Sequence, residues 1–154
     1  MPKQAAGILL YRRGAAGLEV LLAHPGGPLW SRKDLASWTL PKGQFTDGEL
    51  PLDAAKREFE EEMGSAPTGE FQSLGTLKQP SGKVIHAWAV ESDFDVTTVA
   101  SNLFSMEWPP RSGKIGEFPE VDRAAWFSIA QARLQILKGQ APFLDRLLAL
   151  VNPA

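Results

Sequence analysis

The sequence predicts an α/β fold, a mixed sheet covered by helices. Short Leu/Ile/Val-rich runs come in two pairs, each pair separated by a Gly- or Pro-containing connection. One strongly patterned helix lies between the pairs, and two more helical patterns close the chain. With 154 residues the chain is expected to form one domain over residues 1–154, long enough to bury a core of its own.

The elements follow in order. Ala5–Tyr11 and Glu19–Ala23 form the first strand pair, with Arg12–Gly17 as a hairpin connection. Pro51–Met63 reads as a helix, with Pro51 at the first helical position and Gly64 just past the end. Within it Leu52, Ala55, Phe59 and Met63 recur at helical spacing and make one apolar stripe. Phe71–Lys78 and Lys83–Val90 form the second strand pair, around Pro80, Ser81 and Gly82. In Lys83–Val90 the residues Val84, His86, Trp88 and Val90 alternate with Ile85, Ala87 and Ala89, so both faces are apolar, as in a sheet covered on both sides. Ser128 and Gln131 have the spacing of a capping box that opens a helix running to about Leu137. A last helix starts near Pro142 and carries Phe143, Leu144, Leu147, Leu148 and Val151. Glycine and proline cluster at Pro25–Pro28, Pro80–Gly82 and Pro109–Gly116, which are expected to be loops.

Composition excludes several classes. The absence of cysteine removes disulfide frameworks, thiolate chemistry and cysteine-ligated zinc, and suits a reducing compartment. Sixteen basic against 18 acidic side chains give a net charge of −2, too little positive charge for extended nucleic-acid binding. No apolar run reaches the ~18–20 residues that span a bilayer. The opening residues Met1 to Gln4 lack a signal-peptide pattern, so a cytoplasmic location without membrane association is expected.

The charge is unevenly spread. Glu49–Glu62 holds six acids and two bases, a net −4, so the remainder carries +2. On a helix, Glu61 and Glu62 lie three and four residues after Glu58, and all three crowd one face. Their repulsion costs roughly 0.2–0.5 kcal/mol per pair on an isolated helix. A generic Glu-rich helix is a solvated acidic face. Here Arg57 sits one turn before Glu61, and a glycine-flanked loop precedes the helix, an arrangement that suits a compensating divalent cation. Mg²⁺ takes oxygen ligands and typically uses one or two carboxylates together with substrate phosphates.

Gly43, Glu49, Arg57, Glu58, Phe59, Glu61, Glu62 and Gly64 resemble the signature of the Nudix hydrolases, G-x5-E-x7-R-E-U-x-E-E-x-G-U, which spans residues 43–65 here. Eight of the nine specified positions match, with Phe59 as the bulky residue U, and Ser65 departs at the last without removing an acid. Trp38–Gly43 resembles the strand and turn that enter this motif. Glu120–Trp126 resembles the late segment where many members supply a further acid. The resemblance implies an α/β/α sandwich with a mixed sheet, and hydrolysis of a nucleoside diphosphate linked to another group by water attack at phosphorus, with Mg²⁺ or Mn²⁺ bound.

It also implies the site. Glu58, Glu61 and Glu62 are expected to form the metal-binding core. Glu120 is the candidate for a further ligand or the general base, with Glu117 behind it and a motif glutamate as the alternative base. Gly43, Glu49 and Arg57 are assigned orienting roles, Arg57 close to catalysis. Lys42 is a candidate phosphate contact, and Lys83, Arg111 and Lys114, which lie at or near glycines, are weaker ones. Trp30 and Trp108, beside Pro/Gly-rich loops, are candidate stacking platforms for a base, whereas Trp38 and Trp126 are expected in the core or at the sheet edge. His86 is expected to be structural, and His24 to have a possible reach to substrate. The Glu120–Trp126 spacing resembles the asymmetric dinucleoside tetraphosphate hydrolases, so the leading expectation is a small dinucleoside polyphosphate such as diadenosine tetraphosphate. Nucleoside triphosphate, ADP-ribose or an RNA 5′ end are the enzymatic alternatives. A catalytically inactive nucleotide-binding module and an acidic-helix interaction protein are those of other classes.

Overall fold

A computed structural model describes residues 3–151; Met1 and Pro2, and the last three residues, lie outside it. Eight strands and three helices follow in the order β1 (Gln4–Gly14), β2 (Gly17–Pro25), β3 (Lys42–Phe45), α1 (Pro51–Met63), β4 (Gln72–Lys78), β5 (Val84–Glu91), β6 (Leu103–Glu107), β7 (Ile115–Pro119), β8 (Val121–Ser128), α2 (Ile129–Gln135) and α3 (Pro142–Val151).

The main sheet runs β4-β5-β1-β2-β8, and β3 pairs with β1. Among the paired strands only β1 and β5 are parallel, with β2, β3, α1 and β4 between them in the chain, and the other pairs are antiparallel, so the sheet is mixed as expected. The hairpin connection is tighter than the sequence suggests. β1 and β2 pair out to Gly14 and Gly17, leaving Ala15 and Ala16 as the turn, and the φ of +124° at Gly17 suits glycine.

Alternation along β1 divides the core. Ala5, Leu9 and Tyr11 point to one face, where Ala132, Ile136, Phe143, Leu144 and Leu147 from and around α2 and α3 cover them. Ala6, Ile8 and Leu10 point to the other, where Ala54, Ala55, Phe59 and Met63 of α1 cover them. In β5, Ile85, Ala87 and Ala89 join the first cluster, while Trp88 and Val90 join the second. This is an α/β/α sandwich. The apolar stripe of α1 is rotated slightly from expectation, since Ala54 is fully buried and Leu52 only half-buried.

Three further differences matter. Ile115 and Gly116 are not loop but the start of β7, which pairs with β6 in a separate two-stranded hairpin. Glu120 to Trp126 contains most of β8, an outer strand of the main sheet. Trp38 and Thr39 form isolated bridges rather than a strand, and β3 begins at Lys42. Ser128 does cap α2 by accepting from the Gln131 N–H at 3.2 Å, but the helix stops at Gln135. No helix among the described residues is long and apolar enough to cross a membrane.

Phe59, fully buried between α1 and the sheet, anchors the layer that carries the acids. Phe59→Ala is expected to lower unfolding free energy by about 3–5 kcal/mol, measured by urea denaturation.

Candidate active site

The acids are assembled by α1 and by the chain that ties off its end. Gly64 ends the helix with φ +94° and donates its N–H to the Glu60 carbonyl at 2.8 Å. Two more of the orphan carbonyls take donors from downstream: Ala100 N–H reaches Met63 O at 3.2 Å and Asn102 N–H reaches Glu61 O at 2.9 Å. Glu120 N–H then donates to Asn102 O at 2.9 Å. The hydrogen bonds that complete the helix therefore also bring Glu120 beside it.

A cleft of about 420 Å³ results, lined by Glu58, Glu61, Glu62, Glu120, Lys42, Lys83, Gly43, Gln44, Asn102 and Ala5. Its neighbour, a groove of about 250 Å³, is lined by Pro25, Gly26, Gly27, Leu29, Trp30, Phe104, Met106 and Glu120. A smaller hollow lined by Lys42, Glu62, Glu120, Ala23, Pro25, Thr39 and Val121 shares residues with both. Glu120 borders all three spaces.

Arg57 organises the acids. Its Nε and Nη2 donate to the two carboxylate oxygens of Glu49 at 2.8 and 2.9 Å, a two-point grip. Its Nη1 donates to Glu58 at 2.9 Å and to Glu61 at 3.2 Å. The grip lowers the Glu49 pKa below the ordinary carboxylate value, and these acids raise that of Arg57. Glu58 lies against the backbone of β3, where a Cβ on Gly43 would overlap its carboxylate. Burial pushes the Glu58 pKa up, opposed by Arg57 and reinforced by Glu61 and Glu120.

Glu62 differs. It accepts one hydrogen bond, from the Lys42 N–H at 3.2 Å. Burial pushes its pKa up to about 8, with Glu58 and Glu120 adding and Lys42 opposing. Among the described residues neither Glu62 nor Glu120 has an ion-pair partner. Four crowded oxygen donors, two of them without a basic partner, are the donor chemistry of a hard divalent cation. No three acidic or imidazole side chains among the described residues are gathered at ligating distance as they stand. Arg57 occupies oxygens of Glu58 and Glu61 instead.

Lysines share the cleft with the acids. Burial lowers the Lys83 pKa, with the charges of Lys42 and Lys3 contributing. Lys42 and Lys83 line the cleft, but Trp108, Arg111 and Lys114 line none of the three spaces. Trp108, Arg111 and Lys114 lie in the turn between β6 and β7, where the Glu107 carboxylate accepts the Arg111 and Gly113 N–H groups and folds the turn onto its own hairpin. Glu117, on β7, does not line the spaces either. Of the two candidate platforms, Trp30 walls the groove. Trp38 is buried, and Trp126 donates to the Phe94 carbonyl at 3.0 Å. His86 bonds Gln4 at 2.7 Å. His24 is fully buried and makes no approach to the cleft, which corrects the expected reach to substrate. Asn102, Leu29, Phe104 and Met106 carried no sequence signal, since each joins the site through tertiary packing, and Gln44 falls at an unspecified position of the motif.

A model of the NUDIX domain matches residues 1–147. The chain belongs to the Nudix family. Its fold is similar to the Ap4A hydrolase of C. elegans in a binary complex, at 22% identity and TM-score 0.67, covering 96% of this chain and 97% of that one. The NUDIX domain of Shewanella oneidensis NrtR complexed with ADP ribose is similar at 15% identity and TM-score 0.66, over 96% and 86% of the two chains. The Nudix hydrolase RenU of M. smegmatis is similar at 21% identity and TM-score 0.62, over 98% and 88%. No curated protein sequence matches. At these identities the structural likeness is one of fold. The family binds small nucleotide substrates and its enzymes generally use divalent metal ions.

Gly43→Ala is expected to displace the Glu58 carboxylate and lower kcat for nucleotide hydrolysis by about 100-fold, the cost of an ångström-scale misplacement. Steady-state kinetics alongside circular dichroism checks this, with the folded spectrum retained.

Proposed function

We propose that this Nudix enzyme hydrolyses a dinucleoside polyphosphate, such as diadenosine tetraphosphate, to a mononucleotide and a nucleoside triphosphate. One observation carries the reading: an acidic cleft that Lys42 and Lys83 also line and an apolar groove share Glu120 in their walls. A polyphosphate needs cations along its length, and a nucleoside needs an apolar surface for its base. The likeness in fold to an Ap4A hydrolase supports the same substrate class.

Glu58, Glu61 and Glu62 would hold the metal ion, Mg²⁺ or Mn²⁺, with Glu120 as a further ligand or as the general base. Bound there, the ion supplies positive charge against phosphate oxygens and acidity for the attacking water. Water attacks phosphorus, the bridging P–O bond breaks, and a carboxylate of the cleft takes the water's proton; Glu120 is the leading base and a motif glutamate the alternative. Lys42 and Lys83 neutralise phosphate oxygens, so that positioning and charge carry most of the catalysis. Arg57 and Glu49 orient Glu58 and Glu61, and Gly43 admits the Glu58 carboxylate. Leu29, Trp30, Phe104 and Met106 receive a nucleoside. The unit is a single Nudix domain over 1–154, and the cysteine-free composition supports a cytoplasmic setting. The full set of signature acids supports an active enzyme over an inactive binding module.

Glu61→Gln is expected to abolish turnover with little change in thermal unfolding; unchanged activity with Mg²⁺ would overturn its assignment. A panel of dinucleoside polyphosphates, ADP-ribose and nucleoside triphosphates, with products identified by mass, tests the substrate. The highest kcat/KM is expected for a dinucleoside polyphosphate. An advantage of about 100-fold or more for ADP-ribose or a free triphosphate, roughly 2.7 kcal/mol in the transition state, overturns it.

A further inference from the structure

The apolar groove has Trp30 as one wall, and Trp30 stands on a loop, residues 26–33, held from beneath by a buried histidine. His24 has no exposed surface and sits near the end of β2, where its backbone pairs with Arg123 of β8. Its Nδ1 faces both Asp122 carboxylate oxygens, at 2.9 and 3.1 Å. Its Nε2 lies 2.6 Å from the Lys33 carbonyl oxygen, which can only accept, so Nε2–H donates. The edge-on indole of Trp38, 5.1 Å away, fixes the tilt of the ring.

Both ends of this bridge lead to the site. Asp122 follows Glu120 by two residues, and the Gly26 N–H donates to the Glu120 carbonyl at 2.9 Å. On the loop, Lys33 N–H donates to the Trp30 carbonyl at 2.9 Å, and the Lys33 ammonium sits 4.9 Å from the centre of the Trp30 indole. The hydrogen bonds to the α2 segment begin only at Asp34 and beyond, through Trp38, Gln135 and the Ala36 and Ser37 N–H groups. Between residues 27 and 33, among the described residues, the hydrogen bond from His24 is the only one to a group outside the loop.

We propose that His24 is a positioning residue for nucleoside binding: it sets where the Trp30 wall stands relative to Glu120 without touching the substrate. The inference rests on the groove being the nucleoside subsite. The ring suits the task because its two nitrogens lie on different edges of one rigid plane, and with an N–H on each they donate to both acceptors at once. A glutamine carries both N–H groups on a single nitrogen and cannot span the same two acceptors. Losing either contact leaves a buried polar group unsatisfied, and the loop moves to find it a partner.

Calorimetric titration of AMP, and separately of inorganic pyrophosphate, each with Mg²⁺, into wild type, His24→Gln and Asp122→Ala tests this. Both variants are expected to weaken AMP binding by about tenfold, the size of one lost buried hydrogen bond, while pyrophosphate affinity stays within about twofold. Asp122→Ala removes the histidine's partner on β8, together with a 3.6 Å ion pair to Arg123, and carries the comparison if His24→Gln does not fold. AMP affinity unchanged in the variants overturns the inference alone. Equal loss for AMP and pyrophosphate also overturns it, because the damage is then general. A wild type that binds pyrophosphate but not AMP overturns the groove reading and this inference together.

Discussion

One guanidinium makes the acidic face of α1 possible. Glu58 and Glu61 share a helix face with Glu62, and their charges repel at that spacing. Arg57 bonds Glu49, Glu58 and Glu61 at once, so the repulsion is offset within one planar group. Single exposed pairs of this kind are worth at most about 1 kcal/mol, and the half-exposed Arg57 is no exception in strength. Its importance lies in geometry. By holding Glu58 and Glu61 from one side and leaving Glu62 and Glu120 unpaired, it separates restrained carboxylates from free ones. The carboxylate oxygens of that pair, without a basic partner among the described residues, are the ones a cation would draw on.

The rest of the fold serves that arrangement. Phe59 and Met63 bury one side of α1 on the sheet, which turns the acids outward into the cleft. β3 contributes Gly43, whose missing side chain leaves room for Glu58, and Lys42, whose N–H reaches Glu62. The open carbonyls at the end of α1 capture residues 100 and 102, and Asn102 captures Glu120. Glu120 thereby reaches the cleft from a part of the chain nearly sixty residues beyond the helix. The same corner receives Gly26, so the loop carrying Trp30 and the β7–β8 junction carrying Glu120 meet at one point.

Legibility in the sequence followed distance along the chain. α1 was readable because Pro51, Gly64 and the acid spacing all lie within one helix, and the two-faced sheet was readable from the alternation in β5. The β6–β7 hairpin was not, because Pro109, Pro110, Gly113 and Gly116 have loop composition and the strands pair only with each other. β8 stood out by resemblance alone, its alternation being blurred by the run from Ala124 to Phe127 that is buried or half-buried throughout. Within the site the motif acids were legible, whereas the groove draws Leu29 and Trp30 from one loop and Phe104 and Met106 from a hairpin some seventy residues later. The burial of His24 has no local signal, because its partner Asp122 lies 98 residues away. Arg111 and Lys114 have the right charge, but their turn is folded back by Glu107.

Water attack at phosphorus, in a cleft built from these carboxylates, is the central claim. Hydrolysis of diadenosine tetraphosphate by the wild-type enzyme with Mg²⁺ in water enriched in oxygen-18, followed by mass analysis of both products, tests it most directly. One labelled oxygen on a phosphate of one product, AMP or ATP, with the adenosine moieties unlabelled, is the predicted result. Label in an adenosine fragment, or no turnover of any nucleotide with Mg²⁺ or Mn²⁺, would contradict it.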